Sequence, residues 1–399
     1  MNERTLFRAG LVAIVFATMP AIAYADTKAA ITLTAGGGAS SNPYLLTGSS
    51  TGSGYVVAEA APEVTVASER TTFSLRGNAR LEQYFRLYGS DFSGNAAASI
   101  DQALSENTHT ILSGYYSTSN GSPSGFVSGT IATTPDPLTI PTGDISTIGS
   151  RFRQHSFGGE LKFLSQFSLH DKLDLSGRAR EHLTRSTLAN DYTQFEAEAG
   201  YARVLNERTD LGLRVIYAHT NYHATTLGDG NVITPQATIA YQVSDGFSLT
   251  GRAGASFASI VQSSGAKAKT TGFSGSLAAC NKGPRSSSCL SASRSIDATS
   301  AGGISKVSSI DASQQWRLSE RDSLSLRGSY ARVNRTSATA LASPLNRRKL
   351  LVASAEYERQ LTERLYISIN PSYEKTWDSL TVRKANYGAV ATLSYRYGE

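Results

Sequence analysis

Arginine recurs at even spacing along several segments of this 399-residue chain. Arg76, Arg80 and Arg86 share one parity, and Arg178, Arg180 and His182 share another. Arg214, Arg252 and Arg327 stand singly in runs of the same kind. Acids recur likewise, as Glu196 with Glu198 and Glu356 with Glu358. In an extended strand, residues two apart point to the same side, so each group gathers charge on one face. Around a pore, such faces act on ions, guanidinium rows favouring anions and carboxylate rows cations. The segment with Arg178 and Arg180 leads through a short loop to Glu196 and Glu198, and that with Arg327 leads to Glu356 and Glu358. Cross-strand ion pairs are therefore expected, each worth on the order of 0 to 1 kcal/mol in a wet interior.

Cys280 and Cys289 enclose a stretch containing Gly283-Pro284. Two thiols are too few for an ordinary metal site, so a disulfide closing one hairpin is expected. His219 and His223 lie four apart, and Asp229 follows. These three are the residues that would make a metal site or a catalytic base at the rim of a fold, and polar histidines at a strand end explain them as well. The chain has no His-Glu-x-x-His pair or Walker loop. No catalytic residue, metal or cofactor is assigned, and a non-enzyme is expected.

The elements that must position these charges alternate with period 2. Phe73, Leu75, Gly77, Ala79 and Leu81 alternate with Ser74, Arg76, Asn78, Arg80 and Glu82. Leu173, Leu175, Gly177 and Ala179 alternate with Asp174, Ser176, Arg178 and Arg180. Phe247 to Phe257, Leu211 to Tyr217 and Leu324 to Tyr330 repeat the pattern. Between such runs a short signal recurs, an apolar residue, a small polar or histidine residue, an acid, then usually a base. Its copies are Ala67-Ser68-Glu69-Arg70, Leu169-His170-Asp171-Lys172, Leu205-Asn206-Glu207-Arg208, Val243-Ser244-Asp245-Gly246, Leu318-Ser319-Glu320-Arg321 and Leu361-Thr362-Glu363-Arg364. Small polar and acidic side chains bond back to their own backbone there, which marks tight hairpins. Ser105-Glu106-Asn107 and the Cys280 to Cys289 segment are weaker turn candidates.

A soluble sandwich would bury the apolar face, whereas a membrane barrel would turn it to lipid and line a lumen with the charged one. Runs of about 10 to 16 residues are long for soluble strands and suit tilted spanning ones. Short and long connections alternate, as between periplasmic turns and outer loops. The expected fold is all-β, a transmembrane antiparallel β-barrel of about 18 strands, within a range of roughly 14 to 18. The first strand is placed near Ile31 to Ala39 and the last near Lys384 to Tyr397, and the poorly patterned stretches 96–118 and 270–304 set the uncertainty in the count. The proline-bearing stretch from Ser119 to about Ser150 falls at the third outer loop, where it either folds inward or stays on the surface.

Composition agrees. Lys plus Arg is 38 against 32 Asp plus Glu, a net charge of +6, and charged residues are only 18%. So small a charge over this length argues against dedicated nucleic-acid binding. Nineteen tyrosines and fourteen phenylalanines argue against disorder, and two cysteines exclude a disulfide-built scaffold. Arg4 and Arg8 precede an apolar run from Ala9 to Ala23, which ends in Ala23-Tyr24-Ala25. This reads as a cleaved export signal over residues 1–25, with one barrel domain over 26–399.

The first strand runs into Gly38-Ala39-Ser40-Ser41-Asn42-Pro43-Tyr44-Leu45, serial hairpins follow, and Tyr395-Arg396-Tyr397 gives an aromatic-x-aromatic ending. In this the chain resembles a family of outer-membrane β-barrel porins, some of them associated with exopolysaccharide loci. The resemblance implies a bacterial outer-membrane channel passing solutes or an anionic polymer, with export of exopolysaccharide among its roles. It also implies outer-membrane lipid, lipopolysaccharide, the barrel assembly machinery and polysaccharide export components as partners. A non-conducting structural or adhesive barrel, or a barrel enzyme at the outer rim, are the alternatives.

Overall fold

A computed structural model describes residues 26–48, 51–120, 148, 151–184, 189–223, 227–262, 267–299, 303–335, 347–378 and 383–398. The export signal and most of the 119–150 stretch lie outside these residues. The described chain holds eighteen strands. They are β1 Asp26–Ser40, β2 Ser53–Ala67, β3 Thr71–Tyr84, β4 Ser90–Ser105, β5 Thr108–Ser119 and β6 Gln154–Gln166. Next come β7 Asp171–Thr184, β8 Tyr192–Asn206, β9 Thr209–Tyr222, β10 Leu227–Gln242, β11 Phe247–Gln262 and β12 Lys267–Lys282. The last are β13 Ser286–Ala298, β14 Ile304–Arg317, β15 Asp322–Arg335, β16 Arg347–Gln360, β17 Leu365–Asp378 and β18 Asn386–Gly398.

Every strand pairs antiparallel with its sequence neighbours, and β1 also pairs with β18, so the sheet closes on itself. Closure leaves no free edge at the joint, and Tyr395 and Tyr397 of the aromatic ending face Leu33 and Ile31 across it. The expected count holds, and both poorly patterned stretches form hairpins, β4–β5 and β12–β13. All the predicted turn signals lie at one end of the barrel. Their chemistry is as expected: Ser68 Oγ accepts from the Thr71 backbone N–H, and Ser319 Oγ accepts from those of Arg321 and Asp322. The longer connections gather at the other end, here called the loop end.

The predicted apolar face is the outer one. Leu75, Leu81, Leu161, Leu213, Phe257, Phe273, Ile310 and Leu393 are exposed large hydrophobics. A soluble protein does not leave so continuous an apolar belt in water. At one strand-end level, Tyr116, Tyr217, Tyr330 and Tyr373 follow the belt on their strands, as an interfacial aromatic girdle requires.

Cys280 and Cys289 are directly opposed in the β12–β13 ladder and are joined by a disulfide. The closed loop is short and its strands are already paired, so loop closure contributes no more than about 2–3 kcal/mol. Cys280→Ser with Cys289→Ser should still give a folded barrel, with a urea midpoint lowered modestly. Failure of the variant to assemble would show that the bond guides folding rather than trimming stability.

Candidate functional site

Several of the predicted charges pair across neighbouring strands on the inner face of the barrel. Glu59 and Arg80 are opposed across β2–β3, with Nη1 3.2 Å from Oε2, and Glu82 takes the other amine at 2.8 Å. Arg76 bonds Glu63 at 3.1 Å. Arg178 lies opposite both Glu160 and Glu196, at 3.1 and 3.7 Å. Arg214 reaches Glu198, and lies 3.8 Å from Asp174. The two-residue strand period puts these groups on one side, and the register sets which partner each finds.

The expected Arg rows therefore do not present an uncancelled positive wall. Arg180 departs from the expected pairing with Glu196 or Glu198: its ladder partner is Gln194, and its guanidinium reaches Asp297 of β13 at 3.0 and 3.2 Å. Arg327 stands opposite Ser313 and Ser354, so Glu356 is offset by two residues. Glu356 and Glu358 have no cation within 4 Å among the described residues, and the pairing expected for them with Arg327 is not formed. Arg252 donates to Ser276 Oγ at 2.8 Å. Arg86, grouped with Arg76 and Arg80 by parity, lies beyond the end of β3 in the connection to β4.

Water access to this interior falls along its length. The Arg76–Glu63 side chains, toward the turns, are 51% and 44% exposed, whereas those of Arg383 and Asp378 at the loop end are 8% and 0%. Among the described residues, two inward elements contribute to the closure.

The first is the β1–β2 connection. Asn42, Tyr44 and Leu45 are buried there. Asn42 is fixed by Asn386, whose Oδ1 accepts from its backbone N–H at 2.8 Å, and by the Lys384 carbonyl at 3.1 Å. Tyr44 packs against Tyr84 and Tyr88 at 6.1 and 5.6 Å and donates to Asp91 at 2.7 Å. Burial, reinforced by the Asp91 carboxylate, pushes the Tyr44 hydroxyl well above its ordinary range, so it stays a donor. Arg151 lies over the Tyr44 ring at 4.7 Å. Leu45 adopts a left-handed φ of 51°, a strain of about 1 kcal/mol or more for such a residue. Its side chain packs with Ile148, Leu350 and Val352, which offsets that cost. Ile148 belongs to the third long connection, and its carbonyl accepts from Arg348 of β16. This described part of the connection thus folds inward.

The second element is the loop end of the β13–β14 hairpin. The β12–β13 ladder stops at Gly275 and Arg294, although β12 continues to Lys267 and β13 to Ala298. Beyond that point the hairpin leaves the wall. A Cβ built on the inward-pointing Gly272 would meet Ile296 Cδ1 at 3.2 Å and Lys306 Cε at 3.4 Å, so the hairpin lies inside β12. Its tip is held by Asp297 to Arg180 and by Tyr222, whose hydroxyl donates to the Gly303 carbonyl at 2.7 Å.

Sequence reasoning missed Tyr44, Leu45, Ile148, Arg348 and Asp297. Asn42-Pro43-Tyr44 was noticed only as a resemblance, and an apolar Leu and Ile in long connections were the signal that those connections turn inward. The histidines do not assemble a site. His219 bonds Asn231 on the outer face at 2.9 Å, while His223 bonds Thr193 at 3.0 Å. Among the described residues no three His, Cys, Asp or Glu side chains come together to hold a metal.

No family model and no curated relative matches the chain. Among solved structures it is similar to OccK2 of Pseudomonas aeruginosa, determined in complex with glucuronate, at 12% identity and a TM-score of 0.47, over 94% of this chain and 98% of that one. A BenF-like porin from Pseudomonas fluorescens gives 11% identity and a TM-score of 0.48, over 94% and 99%. The FrpB iron transporter of Neisseria meningitidis gives 13% and 0.45, over 88% of this chain, which spans only 62% of that transporter's length. What this chain does must be read from its own closed ring: an apolar exterior, a wet and charge-paired interior at the turn end, and a loop end narrowed by two inward elements.

Proposed function

We propose that the protein is an outer-membrane channel for small hydrophilic solutes, entered at the loop end through a narrowed mouth. The observation that carries this reading is the half-exposed Arg76–Glu63 pair inside a closed ring of eighteen strands. A ring of this size is too wide for its own side chains to fill, and porins of similar strand number hold water. Lipid and lipopolysaccharide would meet the apolar belt, and the barrel assembly machinery would insert it.

Passage of an anionic polymer, with polysaccharide export components as partners, is the finer role implied by the resemblance. It draws less support, because Arg80, Arg178 and Arg214 each face a carboxylate and offer a polyanion little net attraction. A second reading, a non-conducting surface barrel, is favoured by the burial of Tyr44, Leu45 and Ile148 at the loop end. Single-channel recording of the refolded protein in planar bilayers separates the two. A stable, salt-dependent conductance supports the channel, and silence from a demonstrably folded barrel overturns it.

Arg178→Glu with Arg180→Glu should then turn the ion preference toward cations. The change sets new carboxylates beside Glu160 and Glu196, and frees Asp297. An unmoved reversal potential would mean that the current does not pass this wall.

A further inference from the structure

One sector of the outer surface carries charge of a single sign at the level where lipid heads lie. On β15 and β17, Arg332 and Lys375 each follow a girdle tyrosine, Tyr330 and Tyr373, by two residues on the loop-end side. Residues two apart share a face, so both cations belong to the outer face, just above the apolar belt. Lys349 of β16, between them, stands directly opposite Arg332 in the ladder. On its other side it faces Trp377, over whose ring Lys375 Nζ lies at 5.1 Å. Three adjacent strands thus set outward cations side by side.

Like charges directly opposed across two strands are destabilising. At the turn end the outer surface avoids this: Arg203 stands opposite Asp171, and Arg359 opposite Asp322 at 3.8 Å. At the loop end no acid takes that place. Among the described residues no carboxylate lies within 4 Å of Arg332, Lys349 or Lys375, and Arg332 Nε donates to Asn334 Oδ1 at 3.2 Å. The connections of this sector supply none, because residues 336–346 and 379–385 contain no Asp or Glu. From Ala331 to Val352 the chain has five cations and no acid. The counter-charge therefore comes from outside the chain.

Its position and amount narrow the source. Just below the cations, Gly328 and Ala353 are opposed in the ladder between Tyr330 and Tyr373, and a Cβ on Gly328 would meet nothing within 4 Å. The belt is low there, and an acyl chain can lie along it. A phosphodiester head brings a single negative charge against three cations, whereas a phosphate monoester brings about −1.5 to −2. We propose that the outer face of β15–β17 binds an acylated lipid whose head carries two phosphate monoesters. Arg332 takes phosphate oxygens through its planar fork, Lys349 and Lys375 act as point charges, and an acyl chain covers Gly328 and Ala353. The proposal rests on the reading of the barrel as membrane-embedded, with its loop end in the outer leaflet, but not on conduction along its axis.

The test uses the full chain in an uncharged detergent, titrated with diphosphoryl lipid A, monophosphoryl lipid A or phosphatidylglycerol, with bound lipid counted by native mass spectrometry. One diphosphoryl lipid A per barrel should be retained, about tenfold more tightly than the monophosphoryl form, and phosphatidylglycerol should be weaker still. Arg332→Gln with Lys349→Gln and Lys375→Gln should lower its retention about tenfold, the effect of losing charge-assisted contacts, while Arg203→Gln with Arg359→Gln should leave it unchanged. No preference for the second phosphate, or an equal loss in the loop-end and turn-end variants, would overturn the site. Displacement by inorganic phosphate at the same concentration would show an ion site and overturn the lipid as its occupant. The preference of the unaltered protein decides the matter even if the triple variant does not fold. Conductance measured on the same preparation separates the readings: a silent barrel with the lipid preference removes the channel alone, and a conducting one without it removes the lipid site alone.

Discussion

Tyr44→Ala combined with Leu45→Ala should raise single-channel conductance severalfold while the barrel stays folded. The two side chains seat the β1–β2 connection inside the loop end. Tyr44 holds one flank through its rings and its bond to Asp91, and Leu45 holds the other against Ile148, Leu350 and Val352. Burial of a leucine is worth about 1.5–3 kcal/mol and a buried tyrosine adds a comparable amount. Against this stands the left-handed backbone at Leu45, which alanine keeps strained and glycine would relieve. Alanine therefore removes the anchors without rewarding the inward conformation. The wall is untouched, because the β1–β2 ladder begins at Ser40 and Ser53, outside the substituted pair. Retained heat-resistant migration on a gel would verify the fold, and planar-bilayer recording would read the mouth. Unchanged conductance from a folded variant would place the limiting passage at the inserted hairpin instead.

The wall was legible in the sequence because a strand buried on neither face still has two solvents, lipid and water, and so keeps a strict alternation. Leu173 to Ala179 set against Asp174 to Arg180 gave face, period and direction together, and the acid-bearing turns gave the strand ends. What lay between strands in space was less legible. Arg178 met Glu196 as expected, because these two come from adjacent strands and stand directly opposite each other in their ladder. Arg180, two residues further, found Asp297 instead, from β13, which is a neighbour of β7 neither in the sheet nor in the sequence. Local patterns carry no information about such a cross-lumen contact. The same holds for Ile148 and Leu350, whose meeting depends on how a long connection bends. Stretch 270–304 read poorly for a physical reason: β12 and β13 share a ladder for only half their length, so Ile296, on the outward parity of its strand, is buried inside the barrel.

Asp297→Ala should loosen the β13–β14 tip, and exchanging the charges through Arg180→Asp with Asp297→Arg should fasten it again. Asp297 receives both Arg180, at 3.0 and 3.2 Å, and Gln194 Nε2, at 3.2 Å. An exposed ion pair contributes about 1 kcal/mol or less, and breaking a fully buried one costs about 3–5 kcal/mol. These side chains are 21% and 39% exposed, which places the loss between those limits. Among the described residues the tip is also held by the Tyr222 hydroxyl and by the apolar contact of Ile296. The wall below Arg294 keeps its ladder and should not respond. Amide hydrogen exchange tests this directly, since local opening reports local stability. Residues 295–298 and 304–306 should exchange faster in Asp297→Ala, residues 286–293 should not, and the exchanged-charge variant should return toward the original rates. Conductance should follow the same order, rising in the single variant and falling back in the double one, because the tip stands across the lumen from β13 to β7. A tip that exchanges no faster without Asp297 would show that apolar packing alone holds it, and that the Arg180 bond follows the fold rather than fastening it.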